Sequence, residues 1–313
     1  MTHDVRTLFY RGNVWHGIGN KIPDEHQLSI EQALLSAGAN FHVSKKPLFL
    51  ENEVPVDKFY ATVRDDTSEV LGVVSKNYEV LQNIEQLEFF RPFLEQGCKL
   101  EVGGVLTRGR VFFLADINRD PIELTQDDIV RKYLLLSNSH SGESAVACAL
   151  TPVRVVCANT LAMALGDKRT HKIRIRHSKS VLENLKNVQQ TIDIVDQTFK
   201  AEAELYKKLL NKFVNAEDVA KFVVRVLDME SEDGTISTRA ANQLEKIVGL
   251  FEKGIGNDLK GVRGTMWAGY NALTQYLSWE ASRSDVSRYD SLWFGQNHAI
   301  NEKALSLALE LSA

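Results

Sequence analysis

Apolar and polar residues recur with two different periods along this chain, and the change of period divides it. Up to about residue 176 the apolar runs are short and bounded by turn residues, as strands are. Segments 40–44, 59–64 and 70–75 have strand character, and Asp65-Asp66-Thr67-Ser68-Glu69 between the last two has the composition of a hairpin turn. Segments 100–106 and 111–116 predict another strand pair, joined by Thr107-Arg108-Gly109-Arg110. Two helices interrupt the strands. Ser29 caps one over 30–37, with Gln32 at the capping-box position and Gly38 as the stop. Leu87, Phe90 and Leu94 mark the second, which Pro92 interrupts or kinks. Residues 1–27 are polar and mixed, and Trp15-His16-Gly17-Ile18-Gly19 predicts a shaped loop rather than a phosphate-binding one, because no strand precedes it.

After Lys179 the period becomes helical. Between residues 180 and 213 there is no Gly and no Pro, and Val181, Leu185, Val188, Ile192, Val195 and Phe199 recur in alternating steps of four and three. Ala203, Tyr206 and Leu210 continue this seam less cleanly. At 1.5 Å per residue the helix is about 50 Å long, which calls for another long helix or a neighbouring subunit to cover it. Further helices are expected over 218–227 with Asn215 as cap, over 238–251, over 266–276 with Thr265 as cap, and from about 297 to 311. An acidic break at 230–235 and a Gly-rich basic loop at 253–264 separate them, and the loop is expected to be the most flexible element. The whole predicts an α+β fold. Its strand-rich N-terminal half, residues 1–179 with a crossing helix, precedes a largely α-helical half, residues 180–313, containing the one long helix.

Between the two halves lies the most structured signal, residues 133–177. The apolar run Tyr133-Leu134-Leu135-Leu136 enters a polar turn, Ser137 to Ser144, which places polar side chains at the tip of a buried strand. Two more apolar segments, 145–150 and 153–157, flank Thr151-Pro152, with Arg154 as the one charge inside the second. Asn159-Thr160 can cap a short helix over 161–165, closed by Gly166-Asp167. Then Lys172-Ile173-Arg174-Ile175-Arg176 alternates with period 2, which on a strand sets three cations on one face and two isoleucines on the other.

The totals narrow the function classes. With 44% hydrophobic and 25% charged residues, 313 residues make one large or two ordinary soluble domains. The net charge of −4 excludes a uniformly basic protein but not a basic face. Cys98, Cys148 and Cys157 are too few and too scattered for a disulfide framework or a cysteine zinc site, and read as reduced core residues. No apolar run approaches the roughly 20 residues that span a bilayer, so the expected compartment is the cytoplasm.

The runs N-S-H-S-G-E-S-A and R-V-V-C-A-N-T-L in this central stretch resemble the motif of the phage/plasmid-like proteins known as domain of unknown function 932. W-H-G-I-G at 15–19, the stretch 63–78 and G-T-M-W-A-G-Y-N-A-L-T-Q-Y at 264–276 fit the same family, so the resemblance spans nearly the whole chain. It departs at Ser141, where the pattern leads to an acidic residue after the His. The resemblance implies mobile-element biology in a bacterial host and carries no established activity.

Candidate chemistry follows from charge and turn residues. Between Lys168 and Lys179 there are six Lys or Arg and two His. Cations about 6.6 to 7 Å apart on a stiff strand match the phosphate repeat of an extended single strand. Lys168, Arg169, Lys172, Arg174, Arg176 and Lys179 are therefore the leading nucleic-acid-binding candidates, against the bland reading of a solvated face paired with Glu183 or Asp193. Arg108, Arg110, Lys260 and Arg263 sit beside glycines in loops and join the list. Tyr10, Trp15, Phe59, Tyr60 and Tyr78 are candidate base-stacking residues, though aromatics among apolar neighbours are more often core. His140 and Glu143, with Asp65 or Asp66, are the only candidates for catalysis, without the converging set a hydrolase needs. No cofactor and no metal is expected. The leading expectation is an annealing-protein-like factor for single-stranded DNA in replication or recombination, a homo-oligomer through the long helix. The alternatives are a nucleotide- or nucleic-acid-processing enzyme around His140, or a protein-binding factor that counters a host system.

Overall fold

The structure, a computed structural model, describes residues 5–11, 20–23, 27–106, 109–117, 121–154, 159–160, 172–281, 291–293 and 295–313. The fold is α+β, strand-rich in the N-terminal half and helical in the C-terminal half. The chain divides into two compact units of interleaved segments: Met1–Asn118, Tyr133–Leu150 and Asp167–Val195 form the first, and Arg119–Lys132, Thr151–Gly166 and Asp196–Ala313 the second.

In the first unit the strands β1 (Val5–Tyr10), β2 (Asn20–Lys21), β6 (Lys99–Leu106), β7 (Arg110–Asp116), β9 (Asp128–Ser139), β10 (Val146–Arg154) and β12 (Lys172–Ile175) contribute to one sheet, in the order β12-β10-β9-β7-β6-β1-β2. Pairing is antiparallel from β1 through β6 and β7 to β9, and β1 with β2 is parallel. The central strands are buried on both faces, which explains their near-continuous apolar runs: every residue of β7 from Val111 to Asp116 is buried. Phe9, Phe112 and Phe113 are among the largest fully buried side chains, each contributing roughly 1.5–3 kcal/mol of burial free energy. β1 was not foreseen in the polar N-terminal stretch, although Leu8 and Phe9 are core residues.

A second sheet of three antiparallel strands, β3 (Val43–Phe49), β4 (Pro55–Arg64) and β5 (Val70–Ser75), belongs to the same unit. The β4–β5 hairpin falls where the sequence places it, with β5 over the same residues. β3 runs further than expected, through Lys45, Lys46 and Pro47. Helix α1 (Ile30–Ser36) has both bonds of its capping box, Ser29 with Gln32. The predicted kinked helix is two: α2 (Asn83–Glu88) ends before α3 (Arg91–Glu95), whose first turn accepts Pro92 because an N–H at that position would have no helical acceptor to lose.

Val146–Arg154 form one strand, β10, where two segments were expected: Pro152 forgoes one donor without ending it. Asn159-Thr160 form the short strand β11, paired with Val153 and Arg154. The short helix expected over 161–165, Cys157 and the Trp15–Gly19 loop lie outside the described residues. Strand β8 (Ile122–Thr125), also unforeseen, pairs with the first residues of β9 in the second unit.

The long helix is α4 (Val181–Asn211), and it contributes residues to both units. Val181, Leu185 and Val188 of its seam are buried, as are Tyr206 and, in place of Leu210, Leu209. The described part of the seam is thus covered within the chain. The rest of the second unit is α5 (Ala216–Leu227), α6 (Thr238–Lys253), α7 (Met266–Trp279) and α8 (Gln296–Glu310). α5 starts two residues earlier than predicted, with a complete Asn215–Asp218 capping box. α7 is the centre: eleven of its residues are buried, so it is apolar all round where its neighbours are amphipathic. Its two largest polar-tipped side chains are tied. Trp267 Nε1 donates to Asp128 Oδ2 at 2.8 Å and the Tyr270 hydroxyl to Asn301 Oδ1 at 2.8 Å. The glycine-rich loop after α6 is anchored rather than loose, since Val262 is fully buried and Asn257 donates to the Leu250 and Ala268 carbonyls.

Candidate nucleic-acid interface

The signature turn is a buried joint and not a displayed tip. Ser137, Asn138, Ser139, His140 and Ser141 are all buried, because β9 continues straight into them beneath the β3–β4–β5 sheet. The strand end and the turn are held at several points by residues far away in sequence. Gln86 Nε2 donates to the Leu136 carbonyl at 3.1 Å, Asn138 Nδ2 to the Leu81 carbonyl at 2.8 Å, and the Tyr78 hydroxyl to the Ser139 carbonyl at 2.8 Å. From the small sheet, Thr62 Oγ1 donates to the His140 carbonyl at 2.6 Å. Gly72 is where the two surfaces meet most closely, with the Ser141 backbone lying where a side chain would be.

His140 is fully buried, and its ring chemistry is determined by its neighbour. Asn83 Nδ2 donates to the Ala39 and Phe41 carbonyls, so Asn83 Oδ1 is an acceptor, and His140 Nε2, 2.8 Å from it, must be the donor. Burial, assisted by nearby His177, pushes the His140 pKa down to about 3. The imidazole is neutral at physiological pH with its proton committed, which suits a structural link and not a general acid or base. Glu143 is exposed instead, and its N–H donates to Ser141 Oγ. That bond is a local turn bond of the kind an Asp carboxylate also makes. The other suggested acids are engaged as well: Asp65 accepts from Ser44 Oγ and pairs with His42, and Asp66 pairs with Arg64. Among the described residues no three His, Cys, Asp or Glu side chains come together as a metal site, and Cys98 and Cys148 are buried free thiols.

The cationic strand keeps the predicted alternation. β12 pairs antiparallel with β10, Arg174 opposite Ala147 and Ile175 opposite Val146. Ile175 is buried and Ile173 half-buried, while Arg174 and Arg176 are exposed. Lys179 is exposed just beyond, and Lys172 opens the strand. Among the described residues no carboxylate forms an ion pair with Arg174, Arg176 or Lys179, and the suggested acid Glu183 is itself exposed. Where β12 ends, His177 fastens it: its Nδ1 donates to the Glu79 carbonyl at 3.1 Å, and its ring stacks on Tyr78 at 4.4 Å. Burial pulls the His177 pKa down.

The remaining candidates separate. Lys168, Arg169, Arg108 and Trp15 lie outside the described residues. Arg110 is half-buried and donates to Ser144 Oγ at 3.2 Å; burial lowers its pKa and Glu143 pushes back. Lys260 and Arg263 are exposed, but on the anchored loop of the second unit. Tyr78 is buried, Tyr60 lies under the Lys45 ammonium, and among the described stacking candidates only Phe59 is largely open, at 49%. Sequence reasoning missed Thr62, Tyr78, Asn83 and Gln86 as partners of the signature turn. The Gln82–Glu85 capping box marks α2, but no local signal says which strand it serves.

No helix among the described residues is long and apolar enough to cross a membrane. No curated protein and no solved structure matches the chain. Residues 70–293 match the family model described as Domain of unknown function (DUF932), more than two thirds of the chain. That span takes in both the signature turn with its buried histidine and the α7 segment with its tied tryptophan and tyrosine, and the protein belongs to the DUF932 family.

Proposed function

We propose that this protein is a cytoplasmic nucleic-acid-binding factor of a bacterial mobile element, acting on single-stranded DNA in replication or recombination. The observation that supports this reading is the β12 edge, where Arg174 and Arg176 alternate with isoleucines and stand exposed, with no carboxylate partner among the described residues. Successive cations on one face of a strand track phosphates of an extended single strand about 7 Å apart. His140 contributes by holding the sheet that carries this edge, and no catalytic step is assigned to it.

The test is fluorescence anisotropy of labelled single- and double-stranded oligonucleotides over a salt series, comparing wild type with Arg174→Ala/Arg176→Ala. Each phosphate contact to a single strand contributes about 0.7 to the slope of log affinity against log salt, so the double variant should bind more weakly with a slope shallower by about 1.4. Absence of binding at low salt, or an unchanged slope in the variant, would overturn the reading.

A further inference from the structure

The three-stranded sheet carries a concentration of exposed apolar side chains that its own core does not use. Of the eleven large hydrophobic residues that stand exposed among those described, six are on this sheet and its β3–β4 turn: Phe49 59%, Leu50 57%, Val54 47%, Phe59 49%, Val70 61% and Val73 55%. The register places Phe59, opposite Ser75, and Val73, opposite Ala61, on the same face, away from Gly72 and Val74, which meet the signature turn.

The two edges of the sheet are treated differently. β3 carries Lys45, Lys46 and Pro47, devices that discourage another strand from pairing. β5 reads V-L-G-V-V-S, with no charge and no proline. Its backbone directions follow from one bond, Lys76 N–H to the Lys58 carbonyl, which with the register turns Gly72 and Val74 toward β4. Val73 therefore points its N–H and C=O outward, and among the described residues nothing bonds them.

We infer that the β5 edge pairs antiparallel with the β5 of a second copy of this chain, on a two-fold axis through Val73. The inference is independent of the nucleic-acid reading. In this register Val73 exchanges two backbone hydrogen bonds with its own counterpart, and the register shift at Leu71, where the pairing passes from Thr62 with Gly72 to Val63 with Val70, confines the ladder to this central pair. The even spacing keeps outer face with outer face, so the two Val73 side chains lie side by side, each flanked by Phe59. Charge selects the direction. β5 starts at the acidic turn, Asp65, Asp66 and Glu69, and ends at Lys76 with Lys58 beside it. Antiparallel pairing sets each acidic start against the other's basic end, and parallel pairing would set like against like. The signature turn beneath Gly72 holds the edge in shape before pairing, so little ordering is needed on association. A six-residue edge with one apolar cluster falls below the roughly 1,200 Å² of a standard interface, so the dimer is a micromolar one.

Sedimentation velocity from about 1 to 200 µM tests this, a range that spans weak-interface affinities. Wild type should pass from monomer to dimer across the series. Val73→Lys and Val73→Glu, both at an exposed position and checked for an unchanged circular dichroism melt, each set like charges against each other at the axis and should weaken the dimer at least about tenfold. An equimolar mixture of the two should restore it, which a folding defect would not. A wild type that stays monomeric throughout, a dimer indifferent to both variants, or a mixture that fails to recover overturns the pairing.

Discussion

Replacing Gly72 by Ala tests how the small sheet is held. A methyl carbon there would stand 2.5 Å from the Ser141 Cα and 2.6 Å from its carbonyl carbon, and would overlap the carbonyl oxygen. Comfortable carbon contacts begin near about 3.5 Å, so roughly 1 Å of separation is required. The obstructing atoms are backbone, and no rotamer change relieves them. Moving β5 away strains the Thr62 to His140 carbonyl bond of 2.6 Å and the Tyr78 to Ser139 carbonyl bond of 2.8 Å. Overpacking costs about 1–3 kcal/mol and loss of one buried hydrogen bond about 1 kcal/mol more, so the expected destabilisation is about 3 kcal/mol. For a unit of this size that corresponds to a melting point lower by about 10 °C. Urea denaturation and thermal melts followed by far-ultraviolet circular dichroism would measure it. Gly249→Ala is the paired control: on α6 nothing lies within 4 Å of the added methyl, and removing a helical glycine should stabilise by about 1 kcal/mol. If Gly72→Ala melts within about 1 °C of wild type while the control behaves, the close approach of the signature turn to β5 is refuted.

Two further substitutions probe the buried polar groups. His140 has a folded pKa of about 3, below the ordinary 6.5, so its contribution to stability is complete above pH 6.5 and is lost as the pH falls toward 3. Urea midpoints at pH 7, 6 and 5 should show this as a slope of up to about 1.4 kcal/mol per pH unit, which His140→Gln flattens by about one proton; an equal slope in both would remove the neutral, buried histidine. Trp267→Phe deletes the indole donor to the buried Asp128 carboxylate, and should cost about 2 kcal/mol by calorimetry, with a cost near zero meaning that the bond is not formed.

Much of the fold was legible because it is written locally. Caps at Ser29, Asn215 and Thr265 and the 3.6-residue period located most helices, and alternation located β5 and β12. β3 was cut short because Lys45, Lys46 and Pro47 resemble loop residues, when they are the guard of an edge. β1 was missed because its short run sits among polar neighbours, and a strand is only completed by the partner it finds, here β6. The candidate interface was legible to the extent that it is periodic. The signature turn was misread because polarity suggested exposure, whereas His140 is buried by Asn83, 57 residues away, and no local pattern reports a hydrogen bond across that separation.

The interleaving of the two units also constrains how the protein is made. The first unit needs β1 from one end and residues of α4 up to Val195 from the other, so about 170 residues separate its first strand from its last helix. At about 5–20 residues per second, the ribosome takes roughly 10–35 s to supply the missing part. During that interval β6 and β7 are synthesised as a ready hairpin, but β10 waits for β12, leaving an apolar edge open. Nascent chains should therefore engage chaperones until β12 emerges, and a fragment cut before it would keep that exposed edge permanently.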